Sequence, residues 1–194
     1  MKQVTTFDHV FHLWMQEELK PHKERDVLKF VQKKKGYNSI TEWRLAAALS
    51  MGLDKLSWKI MHIKNPNKEL PRVIIGPYQG WSQFFTNRLT TRFEDALRIP
   101  EFIAWCKTHD RINPIMKNFP TSSTIILLQK ENGDLIHIEG GHRICALTYA
   151  QVLGKPISFG KEKTIYACIA KVTNPQIALL KKYLKQGSHK KPLK

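Results

Sequence analysis

The amino-acid sequence predicts an α+β fold: an N-terminal helical region, a small sheet domain and a C-terminal helix. In the first third of the chain, apolar residues recur at helical spacing behind capping residues. From Arg72 onward, short apolar runs and alternating runs, each bounded by turn residues, indicate strands. At 194 residues the chain is long enough for one good core with a small helical appendage.

The predicted N-terminal helical region comprises residues 1–66. Leu53 to Ile63 is predicted as its fourth, short helix, because Gly52 interrupts the helical pattern before it. The other helices are predicted from start and stop signals. These signals are Thr5 with Asp8, Pro21, the glycine stop at Gly36, the capping box Ser39-Ile40-Thr41-Glu42, and the closing turn Asn65-Pro66-Asn67.

The predicted sheet domain comprises residues 67–186, and a basic tail, 187–194, follows it. Asn132-Gly133 is a strong hairpin signal between two of its strands. Asn174-Pro175 opens the last helix, because Asn is a good N-cap and Pro suits the first helical position. The predicted strands are Arg72–Gly76, Thr124–Leu128, Leu135–Ile138 and Thr164–Val172; the predicted helices begin at Thr91, Pro100, His142 and Asn174.

The chain is strongly basic, with 32 Lys and Arg against 16 Asp and Glu, for a net charge of +16. From Gly140 onward, Glu162 is the single acidic residue against eleven lysines and arginines. Such a field attracts nucleic acid, nucleotides or an acidic membrane surface. The alternative is that the lysines form a solvated face with no specific partner.

Cysteine usage and hydropathy predict a cytoplasmic protein. Cys106, Cys145 and Cys168 are an odd number without metal-binding spacing, which favours a reducing compartment. No apolar run approaches the roughly 20 residues of a membrane-spanning helix. The first residues also lack the pattern of a signal peptide.

The stretch Ile136–Leu147, IHIEGGHRICAL, changes from strand-like alternation to helical spacing at two glycines. A helix N-terminus presents backbone N–H groups to an anion, and glycine lets a phosphate approach closely. Gly140 and Gly141 meet that requirement, and His142 and Arg143 add donors at the same place. Glu139 is placed to hold a metal ion or to accept a proton. The alternative is a tight strand-to-helix turn in which His142 caps the helix.

This motif, Glu139-Gly140-Gly141-His142-Arg143 with Gly154-Lys155-Pro156-Ile157 after the helix, resembles the ParB/sulfiredoxin superfamily. The resemblance covers roughly residues 70–172, although its specific part is the short motif. It implies a small mixed sheet and binding of nucleotide phosphates at Gly140, Gly141, His142 and Arg143. Members of the superfamily include CTP-binding partition proteins, ATP-using sulfiredoxins and kinases of free serine.

Differences from two of these branches restrict the activity that the resemblance implies. Sulfiredoxins carry a reactive cysteine where this chain has Gly141, so repair of sulfinic acid is not predicted. The kinase motif is closest, with Glu139 in place of its aspartate and one methylene longer. The prediction is therefore an ATP- or CTP-dependent kinase-like enzyme or NTPase, with Glu139 and His142 as catalytic residues and Glu139 as a ligand of Mg²⁺.

Three further features of the sequence bear on the predicted site. Arg72 and the turn Gly76–Trp81 are candidates for a substrate or base pocket, although simple packing of Tyr78 and Trp81 is favoured. His137 alternates with Ile136 and Ile138, and this spacing predicts an ordinary cross-strand position on the opposite face.

A competing prediction is a nucleic-acid-binding protein. Residues 47–61 have the spacing of a helix–turn–helix, with Gly52 in the turn and Lys55 and Lys59 placed to contact phosphates. A helical cap on the sheet domain would produce the same spacing. A third alternative is a non-catalytic interaction module whose lysines serve solubility.

Overall fold

The computed structural model describes residues 3–19, 28–86, 89–159 and 163–186. This part of the chain has the predicted α+β class. Its strands form one sheet and are numbered in chain order. They are β1 (Gln3–Thr5), β2 (Trp58–His62), β3 (Ser122–Gln129), β4 (Leu135–Glu139) and β5 (Thr164–Lys171).

Helices of four residues or more are also numbered in chain order. They are α1 (Phe7–Glu18), α2 (Ile40–Ser50), α3 (Pro66–Glu69), α4 (Gln79–Ser82), α5 (Phe93–Ala96), α6 (Pro100–Thr108), α7 (Ile112–Lys117), α8 (Gly141–Val152) and α9 (Asn174–Gln186). A π-helical turn at Val31–Lys35 and 3-10 turns at Leu53–Lys55 and Leu70–Arg72 lie between them.

The sheet is mixed and has the strand order β1-β2-β5-β3-β4. β3 and β5 are parallel, whereas the other neighbouring strands are antiparallel. The β3–β4 hairpin is confirmed, and Gly133 in its turn has a φ of +88°. The predicted strand Arg72–Gly76 contributes isolated bridges at Ile74, one of them to Ile136 on β4.

Helices cover both faces of the sheet because its central strands direct apolar side chains alternately into two cores. On β3, Ile125 and Leu127 face the core formed with α5, α6, α7 and α8. Ile126 and Leu128 face the core formed with α1, α2 and α9. The sheet is therefore enclosed between two helical layers, and the ends of its strands lie where both layers meet.

Helix α2 begins at the predicted capping box. The Oγ of Ser39 accepts a hydrogen bond from the backbone N–H of Glu42 at 3.0 Å. The Glu42 carboxylate accepts one from the backbone N–H of Asn38, also at 3.0 Å. α1 begins after Thr6, one residue later than predicted. These caps set the position of Arg44, which α2 carries towards the site described below.

The predicted helix–turn–helix is not formed. Gly52 does adopt a left-handed turn conformation, with a φ of +70°. The expected second helix, however, is a 3-10 turn followed by strand β2. On β2, Trp58 and Ile60 face the core and Lys59 is exposed. Period-two alternation therefore prevails over the helical spacing, because β5 supplies a pairing partner more than a hundred residues later in the chain.

The region 1–66 is not helical throughout, because β1 and β2 belong to it. β2 pairs with β5 from Trp58 with Ala170 to His62 with Tyr166, so one sheet crosses the predicted boundary at residues 66 and 67. The C-terminal helix, α9, is confirmed. The helix expected to open at Pro21 and the tail 187–194 lie outside the described residues.

Candidate functional site

The predicted change from strand to helix occurs at Gly140. β4 ends at Glu139 and α8 begins at Gly141, while Gly140 between them has a φ of +92°. The Gly140 carbonyl accepts hydrogen bonds from the backbone N–H groups of Arg143 and Ile144, both at 3.0 Å. A left-handed residue is needed at this point, and glycine adopts that conformation without steric cost.

The two glycines also allow close packing within the protein. A Cβ at Gly140 would lie 2.4 Å from Cγ2 of Ile125, and a Cβ at Gly141 would lie 2.6 Å from Nε2 of His137. Both glycines are buried. These contacts account for both glycines as parts of a tight turn, but the N-cap of α8 is Gly140 and among the described residues no side-chain hydrogen bond caps the helix, so His142 does not have the capping role of that alternative.

Arg143 lies in an internal ion pair that the sequence did not predict. Its side chain is buried and its Nη1 forms an ion pair with Glu17 at the end of α1. Nη2 donates to the Thr124 carbonyl at 2.8 Å and lies 3.4 Å from Oε1 of Glu139. The guanidinium therefore stabilises the contact between α1 and the sheet, and in this conformation it does not face a phosphate. Glu17 lies far away in sequence, so no local pattern predicts the pair.

A cavity of about 210 Å³ lies beside this turn, where β4 ends and the two helical layers meet. It brings together three residues of the predicted site, Glu139, Gly141 and His142, whereas Gly140 and Arg143 are not among its lining residues. Its other charged and aromatic lining residues are Glu18, Arg44, Tyr78, Trp81, Arg111 and His137.

Arg44 supplies positive charge to the cavity from α2. Its guanidinium lies 4.3 Å from the centre of the Trp43 ring and forms an ion pair with Glu18. Burial alone would lower the pKa of Arg44, but Glu18 and other nearby acidic groups outweigh burial and raise it. Among the described residues, Nε of Arg44 has no hydrogen-bond partner. That nitrogen is itself buried, so Arg44 contributes positive charge to the cavity through a guanidinium already paired with Glu18.

Aromatic rings form one wall of the cavity. The His142 ring lies 5.2 Å from that of Trp81 and 4.9 Å from that of His109. His109 in turn contacts Trp105, with ring centres 4.3 Å apart, and burial lowers the pKa of His109. The Nδ1 of His109 accepts a hydrogen bond from the backbone N–H of Arg111 at 3.0 Å. This contact fixes the segment that carries the second cavity arginine.

Tyr78 closes the cavity towards the sheet. Its hydroxyl donates to the Ile138 carbonyl at 2.6 Å, and burial raises the pKa of this tyrosine well above its ordinary value. Trp81 is 8% exposed and packs against Phe93 and other rings. Both residues of the predicted turn therefore pack against the sheet domain, as favoured, and also line the cavity.

The remaining predicted residues lie elsewhere. Arg72 lines a separate cavity of about 490 Å³ at the other end of β4, together with Arg92 and Asp134. Lys55 ends the 3-10 turn and Lys59 lies on β2, and both are exposed. No part of the described chain brings these lysines onto a recognition helix.

The predicted Mg²⁺ ligand, Glu139, remains a prediction, because an arginine already lies beside it. The described residues contain no group of three or more His, Cys, Asp or Glu side chains that could hold a metal ion. Glu139, the predicted ligand, lies within hydrogen-bonding distance of Arg143. An arginine that is always charged competes with a cation for that carboxylate.

Sequence reasoning missed Glu18, Arg44 and Arg111. Each is a polar residue on a helix or at a helix start, and no spacing rule distinguishes it from a solvated residue.

No helix in the described ranges is long and apolar enough to cross a membrane. Comparison of the chain with family models, curated proteins and solved structures gives no match. The resemblance to the ParB/sulfiredoxin superfamily therefore stays a prediction.

Proposed function

We propose that the cavity at the end of β4 binds the phosphate group of a small phosphorylated molecule. The observation that carries this proposal is that two arginines, Arg44 and Arg111, line the same cavity as His142. Arginine matches the geometry of phosphate oxygens, and a cavity that is partly shielded from water strengthens the attraction.

The size and lining of the cavity favour a nucleotide that is only partly enclosed. A volume of about 210 Å³ is below the roughly 300–1,000 Å³ of sites that enclose drug-sized ligands. Such a cavity suits the phosphate end of ATP or CTP. The Trp81 and His142 rings at its wall offer flat surfaces for the sugar or base.

A reaction at this site would depend on the two predicted catalytic residues. Glu139 and His142 both line the cavity, and a carboxylate and an imidazole are side chains that general acid–base catalysis uses. Transfer or hydrolysis of a phosphoryl group of ATP or CTP is therefore part of the proposal.

We also propose a cytoplasmic location, since all three cysteines are buried free thiols.

The test is isothermal titration calorimetry with ATP, CTP and pyrophosphate, each with and without Mg²⁺. The variant Arg111→Gln should lower the affinity at least about tenfold, because it removes a charged hydrogen-bond donor. Arg98→Gln is the matched control, since Arg98 is exposed and does not line the cavity. Equal affinities for the two variants and the wild type would exclude this cavity as the site.

Nucleic-acid binding is the second candidate function. Helix α9 presents Lys181, Lys182 and Lys185 to solvent, while Leu180 and Tyr183 bury its other face. A row of exposed lysines on one helix supplies the phosphate contacts of sequence-independent binding. The absence of a helix–turn–helix in the described chain favours such general binding over base-specific recognition.

A further inference from the structure

Two adjacent carboxylates end helix α1 in an unfavourable place. Glu17 and Glu18 are 7% and 5% exposed, and the last turn of α1 contains no basic residue. The carboxyl end of a helix carries a partial negative charge, so acidic residues there are disfavoured. Burial of a carboxylate adds a large desolvation cost. Both acids therefore depend on partners from other elements.

Each acid is paired with a different arginine. Glu17 pairs with Arg143 and also accepts a hydrogen bond from the backbone N–H of Thr124 at 3.3 Å, so it belongs to the contact between α1 and the sheet. Glu18 pairs with Arg44, and these two residues both line the cavity. The first pair is structural, whereas the second lies where a ligand would enter.

We propose that Glu18 is a specificity-determining residue that limits how much negative charge the cavity accepts. This inference rests on the proposed function, because it concerns the same cavity. A phosphate that reaches Arg44 meets the carboxylate already paired with it. Repulsion by that carboxylate increases with the charge of the ligand, so a highly charged polyphosphate is penalised more than a single phosphate group. Glu18 thus already supplies a negative charge to Arg44, and an anionic ligand has to share that arginine with it.

The experiment compares orthophosphate, pyrophosphate and tripolyphosphate by calorimetry at constant ionic strength. Glu18→Gln removes one charge with little change in shape. It should tighten tripolyphosphate binding by about tenfold and orthophosphate binding by no more than about threefold. Glu101→Gln is the matched control, because Glu101 is an exposed acid on α6 that does not line the cavity. This variant should leave all three affinities close to those of the wild type.

The outcomes separate this inference from the proposed function. If the wild type binds phosphates but Glu18→Gln leaves the ratio of affinities unchanged, the inference is wrong and the cavity remains a phosphate site. If neither protein binds any of the three anions, both proposals fail. Binding by Glu18→Gln alone overturns both proposals as stated, since the wild-type carboxylate then excludes every anion and does not select among them.

A second variant covers the case in which Glu18→Gln does not fold because Arg44 loses its partner. The double substitution Glu18→Gln with Arg44→Gln leaves no unpaired buried charge. Its affinity for all three anions should fall below that of the wild type, because the arginine that receives the anion is absent. If the double variant binds all three anions as the wild type does, the Glu18–Arg44 pair does not select the ligand.

Discussion

His137 is a buried histidine at the junction of the sheet and the cavity. Its Nδ1 accepts a hydrogen bond from the backbone N–H of Gly76 at 2.7 Å, which places the ring proton on Nε2. Burial lowers its pKa to about 4, so the ring is neutral at pH 7. As the alternation predicted, it faces away from the core that contains Ile136 and Ile138. What alternation could not predict is that it also lines the cavity.

The pH dependence of stability follows from this lowered pKa. The unfolded chain binds a proton near pH 6.5, whereas folded His137 does not until about pH 4. The contribution of His137 to the free energy of unfolding should therefore be constant above pH 6.5 and fall between pH 6.5 and 4, by up to about 1.4 kcal/mol per pH unit. Urea unfolding at several pH values measures this change.

His137→Asn is the comparison for that experiment, because its Oδ1 replaces Nδ1 as an acceptor but does not titrate. The free energy of unfolding of this variant should fall less between pH 6.5 and 4 than that of the wild type. His109, whose pKa burial also lowers, should account for part of what remains. An identical pH profile for the variant and the wild type would show that His137 is not the group that titrates.

The turn from β4 to α8 is the element that positions the site. Its glycines were predicted, but the sequence left open whether they admit a ligand or only allow a tight turn. Gly140 packs under Ile125, and Arg143 is directed to Glu17. The turn thus places His142 beside the cavity, while its own glycines contact neighbouring strands. Cations for the proposed ligand come from α2 and from the start of α7.

Replacement of Gly140 by alanine tests this packing, with Gly133→Ala as the control. The φ angles of the two glycines are nearly equal, at +92° and +88°, so the backbone strain of about 1–2 kcal/mol is common to both. A methyl group at Gly133 would meet nothing within 4 Å. At Gly140 it would overlap Ile125, and overpacking should add about 1–3 kcal/mol.

Chemical denaturation of both variants measures the difference. Gly140→Ala should have the lower free energy of unfolding. If both variants lose the same amount, the contact with Ile125 is not close enough to matter, and strain alone explains the glycine.

Within the described residues, most lysines and arginines have exposed side chains. The lysines predicted to contact DNA, Lys55 and Lys59, lie on a turn and on a strand. Because they are not part of a recognition helix, they have no greater expected role than other exposed lysines. Any affinity for nucleic acid should then reflect the net charge of +16 and weaken steeply with salt.

Two double variants with the same change of charge test this expectation. Lys55→Gln with Lys59→Gln should weaken binding to duplex DNA no more than Lys181→Gln with Lys182→Gln, measured by fluorescence anisotropy at about 50 and 200 mM salt. A much larger loss for the first pair would identify a specific interface around β2. No binding by the wild type at 50 mM salt would remove this candidate function.

Local sequence signals predicted much of the fold and less of the site. The capping box at Ser39, the hairpin at Gly133 and the start of α8 depend on neighbouring residues, and all three are confirmed. The helix predicted for residues 53–63 was wrong, because the apolar residues of this short segment fit both helical and strand spacing. Such ambiguity is resolved by pairing with a distant strand.

By itself, the sequence determined the α+β class, most helix and strand positions, and the turn at Gly140, since backbone preferences and short-range periodicity encode them. Tertiary structure alone decided that Arg143 is buried against Glu17, and that Glu18, Arg44 and Arg111 line one cavity with His142. The reason is that ion pairs and cavities join side chains from elements far apart in the chain, and the energy of those contacts depends on burial that no local pattern records.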